Sequence, residues 1–259
     1  MAALKIVLLT DFSPLSKVAI QYAMKMASKL DIEFVILNGV RIDGVPKSNL
    51  QWKQIERSLV AIAEEEGAKL VAELKQKVNA PISFKAVSAH TISDMVTRYV
   101  EKNYTNLVIM GSQGASSLKK FRLGGTAVSV IDSVHAPVLA IPKLAEFKNF
   151  KHVVYASDLK EPKKELDILI PFARIFDSTV HMVHVVPAID KRVEAERTKI
   201  EAIIKQTGYS KLDFKLLIDE DVAGAIDQHI KDTKADLLTT FTHELSLYEK
   251  LFGLSVTRK

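Results

Sequence analysis

The chain of 259 residues has no cysteine, a single tryptophan and only ten glycines. Without cysteine there are no disulfides, no zinc–thiolate centres and no thiol catalysis. No apolar run approaches the roughly 18 residues that a membrane-crossing helix needs. The N-terminal stretch MAALKIVLLTDFS reaches Asp11 too early to hold the apolar core of a signal peptide. It reads as the first strand of a mature protein, and the expectation is a cytoplasmic location with no membrane partner. Basic runs with interleaved aromatics are missing too, so nucleic acid is not an expected partner. What remains, 47% apolar and 26% charged residues, is ordinary globular composition.

The scarce residues are unevenly placed. Gly111, Gly114, Gly124 and Gly125 fall within fifteen positions of one another. Charge is uneven as well: residues 1–143 hold 18 Lys and Arg against 12 Asp and Glu, and residues 144–259 hold 18 against 19. The first half therefore suits an anionic ligand.

Strands alternate with helices along the chain. LKIVLLT (4–10) is a continuous apolar run, as in a strand buried on both faces. Ser13 and Pro14 then open a helix over 14–30, with Leu15, Ala19, Tyr22, Ala23, Met26 and Leu30 at helical spacing. A strand at 33–40 (EFVILNGV) precedes a helix at about 49–78, whose apolar face reads Trp52, Ile55, Leu59, Ile62, Leu70 and Leu74. A strand at 82–88, a helix at 91–103, a strand at 106–110, a helix at 125–134 and a strand at 138–141 complete the unit. This is the pattern of a doubly wound parallel sheet.

The pattern then restarts. KHVVYASD (151–158) echoes LKIVLLTD (4–11), and ADLLTT (235–240) echoes TNLVIM (105–110). Helices at 161–177, 189–207 and 221–233 alternate with strands at 179–186, 212–218 and 236–240. The expected fold is therefore two tandem doubly wound α/β domains, 1–143 and 150–259, joined by a short linker near 143–150. Aligned on the first copy, the second runs out before its last strand.

In an open parallel sheet, ligands bind beyond the carboxyl ends of the strands, where strand order reverses. That edge carries Thr10 and Asp11, Val40, and Met110 with Gly111. The glycine segment leaves a strand at Gly111 and enters a helix at Gly124, Gly125 and Thr126. Glycines allow positive φ and close ligand approach, and a helix N-terminus offers free N–H groups to phosphate. No Gly-Lys-Ser/Thr run or Gly-x-Gly-x-x-Gly fingerprint is present, which excludes Walker and Rossmann phosphate loops.

The segment MGSQGASSLKKFRLGGTAVSVIDSVHAPVLAIP (110–142) resembles the nucleotide-binding signature of the universal stress protein family, G-x2-G-x9-G-[S/T]. The resemblance covers the chain as a tandem pair. It implies strand order 3-2-1-4-5 and ATP as ligand, with or without magnesium. It also implies Asp11 beside ribose and adenine, the Val40 backbone beside adenine, and Gly111, Gly114 and Gly124 along the phosphates. The candidate site is thus Thr10, Asp11, Val40, Met110, Gly111, Gly114, Gly124, Gly125 and Thr126. Gly125 departs from the signature, whose Ser/Thr hydroxyl comes one place later here, on Thr126. The second copy has Phe241, Glu244 and Leu254 at the glycine positions, with Ser255 at the hydroxyl position, so it is expected not to bind ATP in this way. Family dimers pair through their last strands, so the resemblance also implies a homodimer through 138–141.

The remaining candidates are weaker. Glu64, Glu65 and Glu66 read as a solvated face. His181 and His184 are three apart on a strand and point to opposite faces, which makes them poor joint metal ligands. His90 and His243 lie near the ligand edge. Asp219, Glu220 and Asp221 read as helix-capping acids. Ser112, Ser116, Ser117 and Thr126 are hydroxyls available for phosphorylation, and Lys119, Lys120 and Arg122 are loop cations within reach of phosphates. No organised general base stands beside the glycines, so a binding protein without turnover is expected. An interaction module without nucleotide is the alternative. A nucleotide-cleaving enzyme would carry a Ser-Gly-Gly-x-Asp-Ser loop where this chain reads Thr10-Asp11-Phe12-Ser13-Pro14.

Overall fold

The computed structural model describes residues 3–27, 30–41, 50–112, 123–188 and 191–241. The chain divides into two compact units that meet between Glu146 and Phe147. The first contains β1 (Leu4–Thr10), α1 (Pro14–Met26), β2 (Ile32–Arg41), α2 (Leu50–Lys75), β3 (Ile82–Ala89), α3 (Ile92–Asn103), β4 (Leu107–Ser112), α4 (Gly125–Ser133) and β5 (Val138–Pro142). Its five strands are parallel in the order β3-β2-β1-β4-β5. The second unit contains β6 (His152–Ala156), α5 (Pro162–Phe176), β7 (Thr179–Val186), α6 (Lys191–Gln206), β8 (Leu212–Ile218), α7 (Val222–Thr233) and β9 (Leu237–Thr239). Its order is β8-β7-β6-β9, four parallel strands among the described residues.

Local chemistry explains these elements. Ile6 to Leu9 are all buried, because helices cover both faces of a parallel sheet. Each such apolar side chain contributes about 1.5–3 kcal/mol when withdrawn from water. Ser13 caps α1 by accepting from the Ser16 N–H at 3.2 Å, and Pro14 follows at the first helical position. Thr91 caps α3 through the Asp94 N–H at 3.2 Å. Asp221 caps α7 through the Gly224 N–H at 2.9 Å, and Asp219 accepts from the Asp221 N–H at 2.8 Å. The acidic triplet 219–221 is therefore a helix-start device, as its sequence implies.

Helix α2 departs from expectation. Ile55, Leu59 and Ile62 are 41, 40 and 59% exposed, so that stripe faces outward. The face that packs keeps Leu70 and Leu74, as expected, and runs on through Ala63 and Gly67. A Cβ on Gly67 would lie 2.1 Å from the Phe84 ring of β3. The helix approaches that ring only because the side chain is missing. The side chain of Trp52, expected on the same face, lies outside the described residues. Glu64 is more than solvated surface: its carboxylate accepts from the Ala86 N–H at 2.6 Å, while Glu65 pairs with Lys69 at 2.8 Å.

The segment 143–150 is anchored at its far end. Phe150 is fully buried, with ring centroids 5.4 Å from Phe172 and 5.0 Å from Phe176. Asn149 and Phe150 both take left-handed backbone, φ 65° and 48°, a turn that points the ring inward.

Candidate functional site

Strand order in the first sheet reverses between β1 and β4, so the crevice expected for a ligand opens where both strands end. Thr10 ends β1 and is buried. Its hydroxyl lies 3.0 Å from the Ser16 Oγ and accepts from the Phe12 N–H at 3.0 Å. Its carbonyl accepts from the Asn38 amide at 2.8 Å. With both polar groups engaged, Thr10 holds the strand exit rigid and leaves contact with solvent to Asp11.

Asp11 is exposed, and its carboxylate accepts from the Ser13 N–H at 3.0 Å. Burial pushes its carboxyl up. Hydrogen bonds from the Ser13 hydroxyl and backbone, with the Ser16 hydroxyl, outweigh that and hold it below the usual carboxylate range. The turn needs a left-handed residue next, and Phe12 supplies it at φ 60°. Its strain is supported by packing, since the Phe12 and Phe84 rings stack at 5.9 Å. Gly67, Phe84 and Phe12 thus form one continuous support beneath Asp11.

Val40 lies near the end of β2, half-buried and paired with Ser88 of β3. The residue before it, Gly39, is a packing glycine: a Cβ there would lie 2.3 Å from the Ile92 Cδ1 and 3.2 Å from the Met95 Sδ of α3. Met110 is buried, so only its backbone borders the crevice.

The glycines have different reasons from those their clustering implied. None of Gly111, Gly124 and Gly125 has positive φ; Gly208 is the one glycine that does among the described residues. Gly111 is required by close approach of α1, because a Cβ would lie 2.7 Å from the Leu15 Cγ and 3.1 Å from the Leu15 carbonyl oxygen. Gly124 is the N-cap of α4 in extended backbone, φ −65° and ψ 152°, and no side chain caps that helix. Gly125 and Thr126 are exposed at its first turn, and a Cβ on Gly125 would meet nothing within 4 Å. Ser112, expected as an accessible hydroxyl, is instead the buried last residue of β4, 1% exposed, and its Oγ has no hydrogen-bond partner among the described residues. Gly114, Ser116, Ser117, Lys119, Lys120 and Arg122 lie outside the described residues, as do His243, Glu244, Leu254 and Ser255. His90 is exposed beyond β3.

The second unit repeats the strand exit and changes its surroundings. Ser157 Oγ accepts from the Leu159 N–H at 3.1 Å, Asp158 accepts from the Lys160 N–H at 3.0 Å, and Leu159 is left-handed at φ 62°. His184 takes the place of Asn38 and donates its Nδ1–H to the Ser157 carbonyl at 2.7 Å. Behind the strand end, Tyr155 donates to Ser157 Oγ at 3.0 Å, and Ser157 lies 3.4 Å from the buried Glu165 carboxylate. Phe241, where the first unit has Gly111, sets its ring edge-on to Tyr155 at 5.8 Å. Since Gly111 does not use positive φ, the bulk of Phe241 is what separates the two exits, rather than its backbone.

The family model for universal stress proteins matches residues 3–142, the whole of the first sheet and its crevice. The chain belongs to the universal stress protein family. A universal stress protein of Methanocaldococcus jannaschii is 28% identical over 142 residues, 54% of this chain and 82% of that relative. A universal stress protein from Archaeoglobus fulgidus matches in structure with a TM-score of 0.68 at 18% identity, over 91% of this chain and 86% of its own. A candidate member from Pseudomonas aeruginosa reaches 0.60 at 14% identity, over 92% and 82%. At such identities the structural likeness establishes the fold alone.

Asn38, Gly39, Ser16 and Gly67 are the contributors that sequence reasoning passed over. Asn38 was visible as one polar residue inside the apolar run of β2. Among the described residues, no helix is long and apolar enough to cross a membrane, and no group of three His, Asp or Glu is placed to hold a metal.

Proposed function

We propose that the first unit of this universal stress protein binds an adenine nucleotide, ATP with or without magnesium, and that the protein is a stress-response regulator without catalytic turnover. The observation that carries this reading is the N-terminus of α4. It has a glycine cap, no side-chain cap, and two exposed residues in its first turn. Its free N–H groups and the positive end of its dipole suit phosphate. The orphaned, buried Ser112 Oγ at the end of β4 is a second polar group fitted to an anionic ligand. Across the switch point, Asp11 is held ionised and presents a fixed acceptor for ribose hydroxyls or the adenine amine. The signature's Ser/Thr is absent at Gly125, so phosphate would rely on backbone donors and Thr126.

The competing reading is an interaction module that holds no nucleotide. Gly111 favours it, since packing against Leu15 accounts for that glycine without a ligand. Calorimetric titration of the full chain with ATP separates the two. Heat of binding that disappears in Gly114→Glu, which copies Glu244 of the second unit, is expected. No heat in the wild-type chain would favour the interaction module. Absence of phosphate release in the same samples is expected, and steady release would overturn the non-catalytic part. Light scattering is expected to give a homodimer, formed through the edge strand β5.

A further inference from the structure

At the amino-terminal edge of the second sheet, away from the strand exit at Ser157, four side chains distant in sequence meet. His181 of β7 and Asp213 of β8 are register partners, and His181 Nδ1 lies 2.8 Å from the Asp213 carboxylate. His152, which opens β6, places its Nδ1 3.4 Å from His181 Nε2, with the two ring planes within 10° of parallel. His229 of α7 stands edge-on to His181, ring centroids 6.1 Å apart, and its Nε2 is buried without a partner among the described residues.

Donor and acceptor rules fix this chain. An ionised Asp213 only accepts, so His181 Nδ1 carries the hydrogen. A neutral His181 then offers Nε2 as acceptor, and His152 Nδ1 donates to it. Both nitrogens of His181 are thereby used, which leaves none for a metal. We propose that the Asp213–His181–His152 chain, with His229 packed beside it, is a proton-sensitive latch. It seats α7 on the sheet while its imidazoles are neutral and loosens α7 when they take up protons.

The charges facing the cluster decide the order of events. Asp213 on β8 faces His181, and the Asp236 carboxylate sits near His152, accepting from its backbone N–H at 3.4 Å. His229 has no such compensation. Burial pushes its pKa below the ordinary 6.5, Lys215 of β8 and His181 push it further down, and Asp213 and Asp232 only partly oppose them. On α7 Asp227 accepts from Lys231 at 2.7 Å, and Asp232 accepts from the Gln228 amide at 2.8 Å. A group whose pKa is lowered in the docked state binds more protons in the open state. Docking is therefore intact above about pH 6.5 and weakens as pH falls below it. What α7 would release is an apolar seam, where Val222, Ile226 and Ile230 pack on Val154, Val183 and Leu217.

Amide hydrogen exchange of the full chain tests this. Protection of 222–233, corrected for intrinsic rates, should fall about tenfold between pH 7.5 and 5.5, the limit for one histidine freed of its shift. His229→Phe should flatten that dependence. A wild-type helix with no change, or a variant that falls as steeply as wild type, overturns the proposal. Nitrogen-15 spectra of the wild-type histidines provide an independent arm that needs no variant. Nδ1–H on both His181 and His152 is expected, with His229 taking up its proton at a lower pH than an ordinary imidazole. Three imidazoles titrating independently at ordinary values would sink the latch.

Discussion

In the first unit the chain leaves β1 through Thr10, Asp11 and Phe12; in the second it leaves β6 through Ser157, Asp158 and Leu159. The two exits match bond for bond, with a hydroxyl accepting two residues on, a carboxylate accepting two residues on, and one left-handed residue between. Even the brace from the neighbouring strand is kept, by Asn38 in one and His184 in the other. One strand further the units part: the next-to-last residue of β4 is a glycine pressed against α1, and β9 is followed by a phenylalanine set edge-on to Tyr155. A duplicated domain can therefore preserve the geometry of a strand exit after it has filled the space in front of it. The Asp-bearing turn is common to both units, and among the described residues it is the position of Gly111 and Phe241 that differs.

Copying the difference into the first unit should have the largest effect. Gly111→Phe forces a Cβ to within 3.1 Å of the Leu15 backbone and must displace α1. A loss of about 3 kcal/mol is expected, at the upper end for overpacking, read as a lower urea midpoint for the first unit. A near-neutral outcome would show that α1 yields easily and that Gly111 is not a packing glycine. Next comes the brace. Asn38→Ala strands the buried Thr10 carbonyl and should cost about 1–3 kcal/mol, whereas Asn38→His, which copies the second unit, should cost less than half as much. Equal losses would break the equivalence of the two braces. Gly125→Ser restores the hydroxyl of the family signature into open space. It should tighten ATP by about tenfold, the worth of one added hydrogen bond, with an unchanged melting temperature. The smallest effect belongs to Asp11→Asn. The Asp11 carboxyl is lowered in the folded state, so its contribution is present above the ordinary 3.8 and lost as pH falls through the folded value. The variant should therefore show a shallower loss of stability below pH 4, in acid melts followed by circular dichroism.

Much of this architecture is legible in the sequence because buried parallel strands are written as apolar runs. LKIVLLT, the 179–186 strand and the 212–218 strand carry their own boundaries, and Ser13, Thr91 and Asp221 announce the helices they cap. The first half of helix α2 departs from its apolar pattern for a definite reason. A hydrophobicity pattern weights Ile55, Leu59 and Ile62 heavily and weights Ala63 and Gly67 hardly at all, yet close packing runs through the small residues. The site divides along the same line. Asp11 and the start of α4 follow from spacing. Sequence does not distinguish a glycine that admits a ligand from one that admits a helix, so Gly111 reads the same in both cases. The histidine chain was not legible at all, because only the sheet brings residues 152, 181, 213 and 229 together.

The space beyond Gly125 has a consequence for how such a protein can change over time. Most positions around the crevice are tied to the fold: Thr10 to Asn38, Phe12 to Phe84, Gly111 to α1. A substitution at any of them is judged first by whether the chain still folds. Among the described residues, a Cβ on Gly125 would meet nothing within 4 Å. A substitution there is spared that first test, so the first turn of α4 can change its chemistry one residue at a time while the packing around it stays as it is.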